Sequence, residues 1–164
     1  MAKQQGFTFS DKWNMRFMEI AKLIATWSKD DSTKVGCVVV GPDKEIRSTG
    51  YNGFPRGVDD TIQIRKIRPT KYKFTEHAER NAIFNAVLYG ASFKDCVMYV
   101  TFPPCVDCAR GIIQSGIREV IYMDMPADKS QKIAGWRDDL QNSFDMFDEA
   151  GVRYKSLGIN ENSR

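Results

Sequence analysis

At 164 residues the chain has the length of one domain, enough to bury about 68–70% of its unfolded surface without a disulfide scaffold. Hydrophobic residues at 42% and charged residues at 27% exclude a disordered tail, a collagen-like fibre and a low-complexity segment. The net charge of +3 is too small to argue a nucleic-acid partner, and no apolar run approaches the ~20 residues of a membrane span. MAKQQGFTFS at the N-terminus lacks the basic-then-apolar pattern of a signal peptide, so the cytoplasm is the expected compartment. No repeat or Pro/Gly/Ser linker divides the chain. We expect a single domain over 1–164, with short flexible ends at about 1–8 and 158–164.

The elements alternate. Trp13, Phe17, Ile20, Ile24 and Trp27 recur at steps of four and three, which predicts a helix capped at Ser10 or Asp11. Val35–Val40 is a β-branched run, followed by a turn at Gly41–Lys44 and a second strand near Glu45–Tyr51, a hairpin. Residues 52–74 show no period and read as a long functional loop, carrying the basic cluster Arg65, Lys66, Arg68, Lys71 and Lys73. A helix is predicted from about Glu76 to Tyr89, stopped by Gly90, then a strand over Cys96–Thr101. Pro104 opens a helix to about Ser115, and Glu119–Met123 is a strand. A helix from about Gly135 to Ala150 carries Leu140, Phe144 and Phe147, and Val152–Leu157 is the last strand. Strands alternating with helices predict a mostly parallel sheet, covered on both faces, with one antiparallel hairpin partner.

The rarest residues carry the chemistry. There are four cysteines and one histidine. His77 and Glu79 lie in Thr75-Glu76-His77-Ala78-Glu79, and two cysteines lie in Pro104-Cys105-Val106-Asp107-Cys108. Both motifs fall at predicted helix starts, where unpaired N–H groups and the positive dipole end favour thiolate over thiol. Cys, Cys and His are zinc-type donors, and three ligands leave the open position of a catalytic site. Cys37 and Cys96, inside predicted strands, read as buried small hydrophobes. Residues two apart inside a helix point to different faces, so His77 and Glu79 share a site only off the helix tip. Glu79 then serves as acid and base beside the water. A cytosolic redox pair is a rival reading of Cys105 and Cys108, but it leaves His77 and Glu79 unexplained.

From about residue 10 to 157 the chain resembles the deoxycytidylate (dCMP) deaminase branch of the zinc-dependent cytidine/deoxycytidylate deaminases. The resemblance rests on Ser32–Gly36, Thr49-Gly50-Tyr51-Asn52-Gly53-Phe54-Pro55, His77–Ile83, Tyr99–Thr101, Pro104–Ala109 and Gln114–Ile117. It implies an α/β fold, a three-layer α/β/α sandwich with a five-stranded mixed sheet. It implies one Zn²⁺ per chain on His77, Cys105 and Cys108, with Glu79 as proton shuttle. Asn52 would contact the nucleotide at its sugar, and the Ala78 N–H the pyrimidine carbonyl. Gly50, Tyr51, Asn52 and Gly53 would belong to an effector site for dCTP (activating) and dTTP (inhibiting), with Mg²⁺ accompanying the effector, in a homohexamer. The reaction implied is dCMP to dUMP plus ammonia, supplying dTTP synthesis.

The chain departs from the pattern in three places. The long loop has no Cys or His for the second, structural zinc of some phage-type members. Pro103-Pro104 is a doubled proline, and Asp124-Met125-Pro126-Ala127 offers no aromatic residue over the nucleotide. Two other classes stay open: a tRNA or single-stranded DNA deaminase using residues 65–73, with Tyr72 and Phe74 for stacking, and a non-enzymatic zinc-stabilised binding module. Another free cytosine nucleotide or nucleoside is the alternative within the first class.

Overall fold

The computed structural model describes residues 7–125 and 136–159. Five helices and five strands are named here. They are α1 (Asp11–Ala25), β1 (Gly36–Val40), β2 (Ile46–Tyr51), α2 (Lys71–Phe74), α3 (Ala78–Tyr89), β3 (Val97–Val100), α4 (Val106–Gln114), β4 (Glu119–Asp124), α5 (Trp136–Ala150) and β5 (Arg153–Ile159). The strands form one five-stranded sheet in the order β2-β1-β3-β4-β5. β3, β4 and β5 are parallel neighbours, while β1 runs antiparallel to both β2 and β3. Four of the five strands therefore run the same way and β1 alone is reversed, as expected of a mixed, mostly parallel sheet with one antiparallel hairpin partner. The hairpin turns β1 against β2, and β1, not β2, is the strand that joins the parallel half.

All five residues of β1 are buried because the strand has neighbours on both edges and helices on both faces. Its side chains alternate between two cores. Cys37 and Val39 join Met98, Val100, Val120 and Tyr122 under α3, α4 and α5. Val38 and Val40 join Val97, Tyr99 and Ile121 under α1. Among the described residues this makes three layers: α1, the sheet, and the α3–α4–α5 group. The Lys44 backbone has a φ of 67°, which lets Gly41 and Glu45 close the hairpin turn.

Trp27 is not part of the buried face of α1. The helix ends at Ala25, and Trp27 is 56% exposed with its ring edge-on to Tyr51. The Ser28 hydroxyl donates to the Asn52 carbonyl at 2.7 Å, which draws the chain off the helix axis. Ser10 occupies the N-cap position by its backbone, without a side-chain bond. Thr8, expected in a flexible end, donates its N–H and hydroxyl to the fully buried carboxylate of Glu119, which also pairs with Arg153 at 2.7 Å. Within α5, Phe147 is fully buried and Phe144 stacks on Tyr154 at 4.5 Å. Gly135, Pro126 and Ala127 lie outside the described residues. No helix among the described residues is long and apolar enough to cross a membrane.

Two glycines let helices approach the sheet from opposite sides. A Cβ on Gly36 would sit 2.0 Å from the Ala21 carbonyl oxygen of α1, and one on Gly50 would sit 2.3 Å from the Ala78 oxygen of α3. Neither neighbour is a movable side chain. Gly50→Ala is expected to lift the first turn of α3 and to cost about 1–3 kcal/mol or more, as overpacking does. Urea unfolding measures the loss, and an unchanged midpoint would contradict the packing described.

Candidate functional site

His77 is the N-cap of α3, with an extended backbone at φ −77° and ψ 155°. Cys105 holds the same position on α4, at φ −75° and ψ 170°. Both helices thus begin two residues later than expected, and each motif straddles a helix tip. That offset is what lets His77 and Glu79 face one site, since the cap lies outside the helical turn that carries Glu79. His77 Nδ1 lies 3.4 Å from Cys105 Sγ and 3.5 Å from Cys108 Sγ, and the three donor atoms lie within 4.8 Å of one another. Tetrahedral zinc bonds of ~2.3 Å to sulfur and ~2.05 Å to nitrogen give donor separations of about 3.6 Å. The donor set and its spacing fit zinc. Cys37 and Cys96 are free and buried, as expected of them.

The three donors are coupled to one another electrostatically. A hydrogen bond from Cys108, and then His77, bring the Cys105 thiol down to about 4. The same contact with Cys105 raises His77 to about 9, against its burial. Cys108 is pushed up, first by its bond to Cys105 and then by burial. Glu79 is only 3% exposed, and burial holds its carboxyl above the usual range. The Ala78 N–H, at the first helical position, has no acceptor within the helix.

Three charged residues that the sequence reading passed over tie the two tips together. Glu76 Oε1 accepts from the His77 N–H at 3.1 Å and from Arg80 at 2.5 Å. Arg80 reaches on to Asp107 at 3.4 Å, and Asp107 also pairs with Arg110. Their signal was the i, i+4 spacing of Glu76 and Arg80.

The Gly50–Gly53 stretch divides between two roles. Gly50 is buried against α3. Asn52 Oδ1 accepts from the Val35 N–H at 2.8 Å, and Nδ2 donates to the Thr33 carbonyl at 2.8 Å and to Asp30 at 3.4 Å. Asn52 therefore organises the 30–35 turn, with one Oδ1 lone pair left for a ligand. Gly53 forms a two-bond bridge with Glu76, at 3.1 and 2.8 Å, which brings this stretch beside His77. Gly53 also lines a cavity of about 420 Å³, walled by Tyr51, Phe54 and Thr75, with Lys29, Lys66, Arg68 and Lys71 as its cations.

The long loop is more ordered than its sequence suggests. It holds a 3-10 turn over Gln63–Lys66 and the single turn α2. Its basic residues are divided rather than laid out as one track. Arg65 covers the ring of Phe74, Arg56 is bonded to Asn85, and Lys71 pairs with Asp30 at 2.5 Å. Burial opposes the charge on Asp30, but Lys71 and the Ser32 and Thr33 N–H groups outweigh it and hold the carboxyl below its usual range. A depressed folded value contributes stability above the unfolded value of ~3.9, lost as pH falls through the folded one. Proteolytic nicking within 55–74 is therefore expected to accelerate below about pH 4 in the wild type, and to be faster at neutral pH without that acid step in Asp30→Asn. Equal nicking across that range would contradict the latch.

A mixed five-stranded sheet, with a His/Cys/Cys set on two helix tips beside a buried glutamate, defines a zinc-binding hydrolytic deaminase. The chain belongs to the family described as cytidine and deoxycytidylate deaminase zinc-binding region, whose model matches residues 11–124. It is 41% identical to an uncharacterized deaminase of Aliivibrio fischeri over 90% of this chain and 95% of that protein. It is 44% identical to the deoxycytidylate deaminase of Mus musculus, over 89% of this chain and 80% of that protein. The fold matches the dCMP deaminase of cyanophage S-TIM5, solved with dCMP and dUMP, at a TM-score of 0.71 and 24% identity, over 91% of this chain and 99% of that one.

Proposed function

We propose that this enzyme converts dCMP to dUMP and ammonia, as a step that supplies dTTP synthesis, with one zinc per chain on His77, Cys105 and Cys108. The observation that carries this reading is Glu79, buried in the first turn of the helix that His77 caps. Relatives named deoxycytidylate deaminase support the choice of substrate.

Bound zinc supplies a Lewis acid that brings the pKa of water to near 7. Glu79 takes the proton from the attacking water and delivers it to N3 of the cytosine ring, which makes C4 electrophilic. After the oxygen adds to C4, Glu79 takes the remaining proton from the new C4 hydroxyl and passes it to the amino group, so that the C4 carbonyl forms as the C4–N bond breaks and ammonia leaves. Burial raises its proton affinity. The Ala78 N–H holds the ring carbonyl, and Asn52 meets the sugar through its remaining Oδ1 lone pair. Glu76, Arg80 and Asp107 hold the two ligand turns in register.

The cavity that Gly53 lines is the proposed place for dCTP or dTTP. Lys66 and Arg68 suit phosphates, Tyr51 and Phe54 suit a base, and Asp31 suits an accompanying Mg²⁺, while Lys71–Asp30 and Lys29–Asp60 are ion pairs in its wall. A homohexamer is the proposed assembly, and the free thiols suit a cytoplasmic, reducing compartment.

Ammonia release from dCMP, dCTP, CMP, deoxycytidine, single-stranded DNA and a tRNA stem-loop tests the reading. The expected result is a kcat/KM for dCMP at least about tenfold above deoxycytidine, a phosphate preference of ~1.4 kcal/mol or more. Equal values for the two would remove the phosphate claim. Reaction of the polymers alone would move the function to residues 65–73.

A further inference from the structure

We infer that Arg80 is a positioning residue whose guanidinium clasps the two ligand-bearing helix tips together and so sets how long zinc stays bound. The inference rests on the zinc reading above and deepens it. The metal site is split between two elements. His77 and Glu79 ride on the start of α3, while Cys105 and Cys108 ride on the start of α4. Any slip of one helix along the other changes the donor spacing that zinc requires. Arg80 spans that division. Its Nε meets Glu76 Oε1 at 2.5 Å, and its Nη1 meets Asp107 Oδ2 at 3.4 Å. Among the described ion pairs, Arg80–Asp107 is the one that joins α3 to α4.

The clasp is anchored at both ends and along its stem. The Glu76 backbone is fixed by its two-bond bridge with Gly53, and its Oε1 also accepts the His77 N–H. Asp107 lies between the two cysteines, so the far carboxylate sits inside the Cys-x-x-Cys turn. The stem of Arg80 lies beside Gly111, one turn beyond Asp107 on α4. A Cβ at Gly111 would meet Arg80 Cγ at 3.9 Å and Ile83 Cδ1 at 3.3 Å. The side chain is 25% exposed, so it is partly screened from water along this path. The chemistry calls for arginine. Nε and Nη1 are fixed members of one planar group, and they hold two carboxylates at a set separation. A lysine carries the same charge on one nitrogen, which follows one carboxylate and releases the other. A positive charge alone would also favour thiolate at the cysteines. Arg80→Lys separates that effect from the clasp. Arg110 pairs with Asp107 from within α4 and crosses to no other element, which makes it the control.

Zinc transfer from the loaded full chain to a chromogenic chelator, followed by absorbance, tests this. Partners that orient metal ligands typically govern about 10–100-fold in metal affinity. Arg80→Ala and Arg80→Lys are therefore each expected to release zinc about tenfold or more faster than the wild type. Arg110→Ala is expected to release it at the wild-type rate. Asp107→Asn is expected to speed release as well, and to add little on top of Arg80→Ala, since both break the same link. The melting temperature of the chelator-treated chain is expected to stay within a few degrees in all of them, because a partly exposed pair adds little stability. Wild-type release from Arg80→Ala or from Arg80→Lys would overturn the clasp alone. A metal-free melting temperature that falls in step with the release rate would make Arg80 a structural residue and overturn it too. A wild type that takes up no zinc would overturn the zinc reading with it. If Arg80→Ala fails to fold, Arg80→Lys and Asp107→Asn decide by the same measurement.

Discussion

Glu79→Gln is expected to fold, to keep its zinc and to lose turnover. Removing a general acid–base group typically costs about 10²–10⁴-fold, and the upper end or beyond is expected because one carboxylate serves several proton transfers. The amide keeps the shape of the buried side chain and loses only the basic oxygen. Zinc is expected to stay because the donor set is His77, Cys105 and Cys108, without Glu79. Single-turnover kinetics with elemental analysis separates the two effects. A variant retaining a tenth of the wild-type rate would show that Glu79 is not the shuttle, and one that lost its zinc would show that it is a ligand.

Loss of a ligand is expected to be as severe and different in kind. His77→Ala and Cys108→Ser leave two donors from a set of three, so zinc content should fall well below one per chain and activity with it. The metal binds the folded state, so its loss also lowers stability. At a free zinc concentration about a thousandfold above Kd, that linkage is worth ~4 kcal/mol. Wild type treated with a chelator and Cys108→Ser should therefore melt at similar temperatures, both below the zinc-loaded wild type. Two tightly bound zincs per wild-type chain would contradict the single site.

The strands were legible because β-branched runs such as Val38-Val39-Val40 leave little choice of conformation, and glycines such as Gly90 mark helix ends through their left-handed backbone. The ligand set was legible by inventory, since one histidine and one Cys-x-x-Cys pair allow few combinations. Long-range pairing was not. Nothing local in Val97–Val100 states that β1 will run against it, and that pairing places the one reversed strand inside the sheet. Trp27 fitted the helical period, yet a distant hydrogen bond from Ser28 to Asn52 ends the regular path before it. The long loop lacks a period because its order comes from ion pairs and hydrogen bonds to remote residues, with Asp30 and Lys71 as the clearest pair. Asn52 was read as a ligand contact by resemblance, while its hydrogen bonds to residues 30, 33 and 35 show that most of its capacity serves the turn beside it.

The central claim is hydrolytic deamination of dCMP at the His77–Cys105–Cys108 site with Glu79 as proton carrier. Incubation of the zinc-loaded protein with dCMP in ¹⁸O-labelled water, followed by mass spectrometry of the nucleotide and an ammonia assay, tests it most directly. The account predicts dUMP carrying the solvent oxygen at C4, released together with equal ammonia, and none of either from Glu79→Gln at matched zinc content. Unchanged dCMP in the presence of bound zinc, or the same product from Glu79→Gln at an undiminished rate, would contradict it.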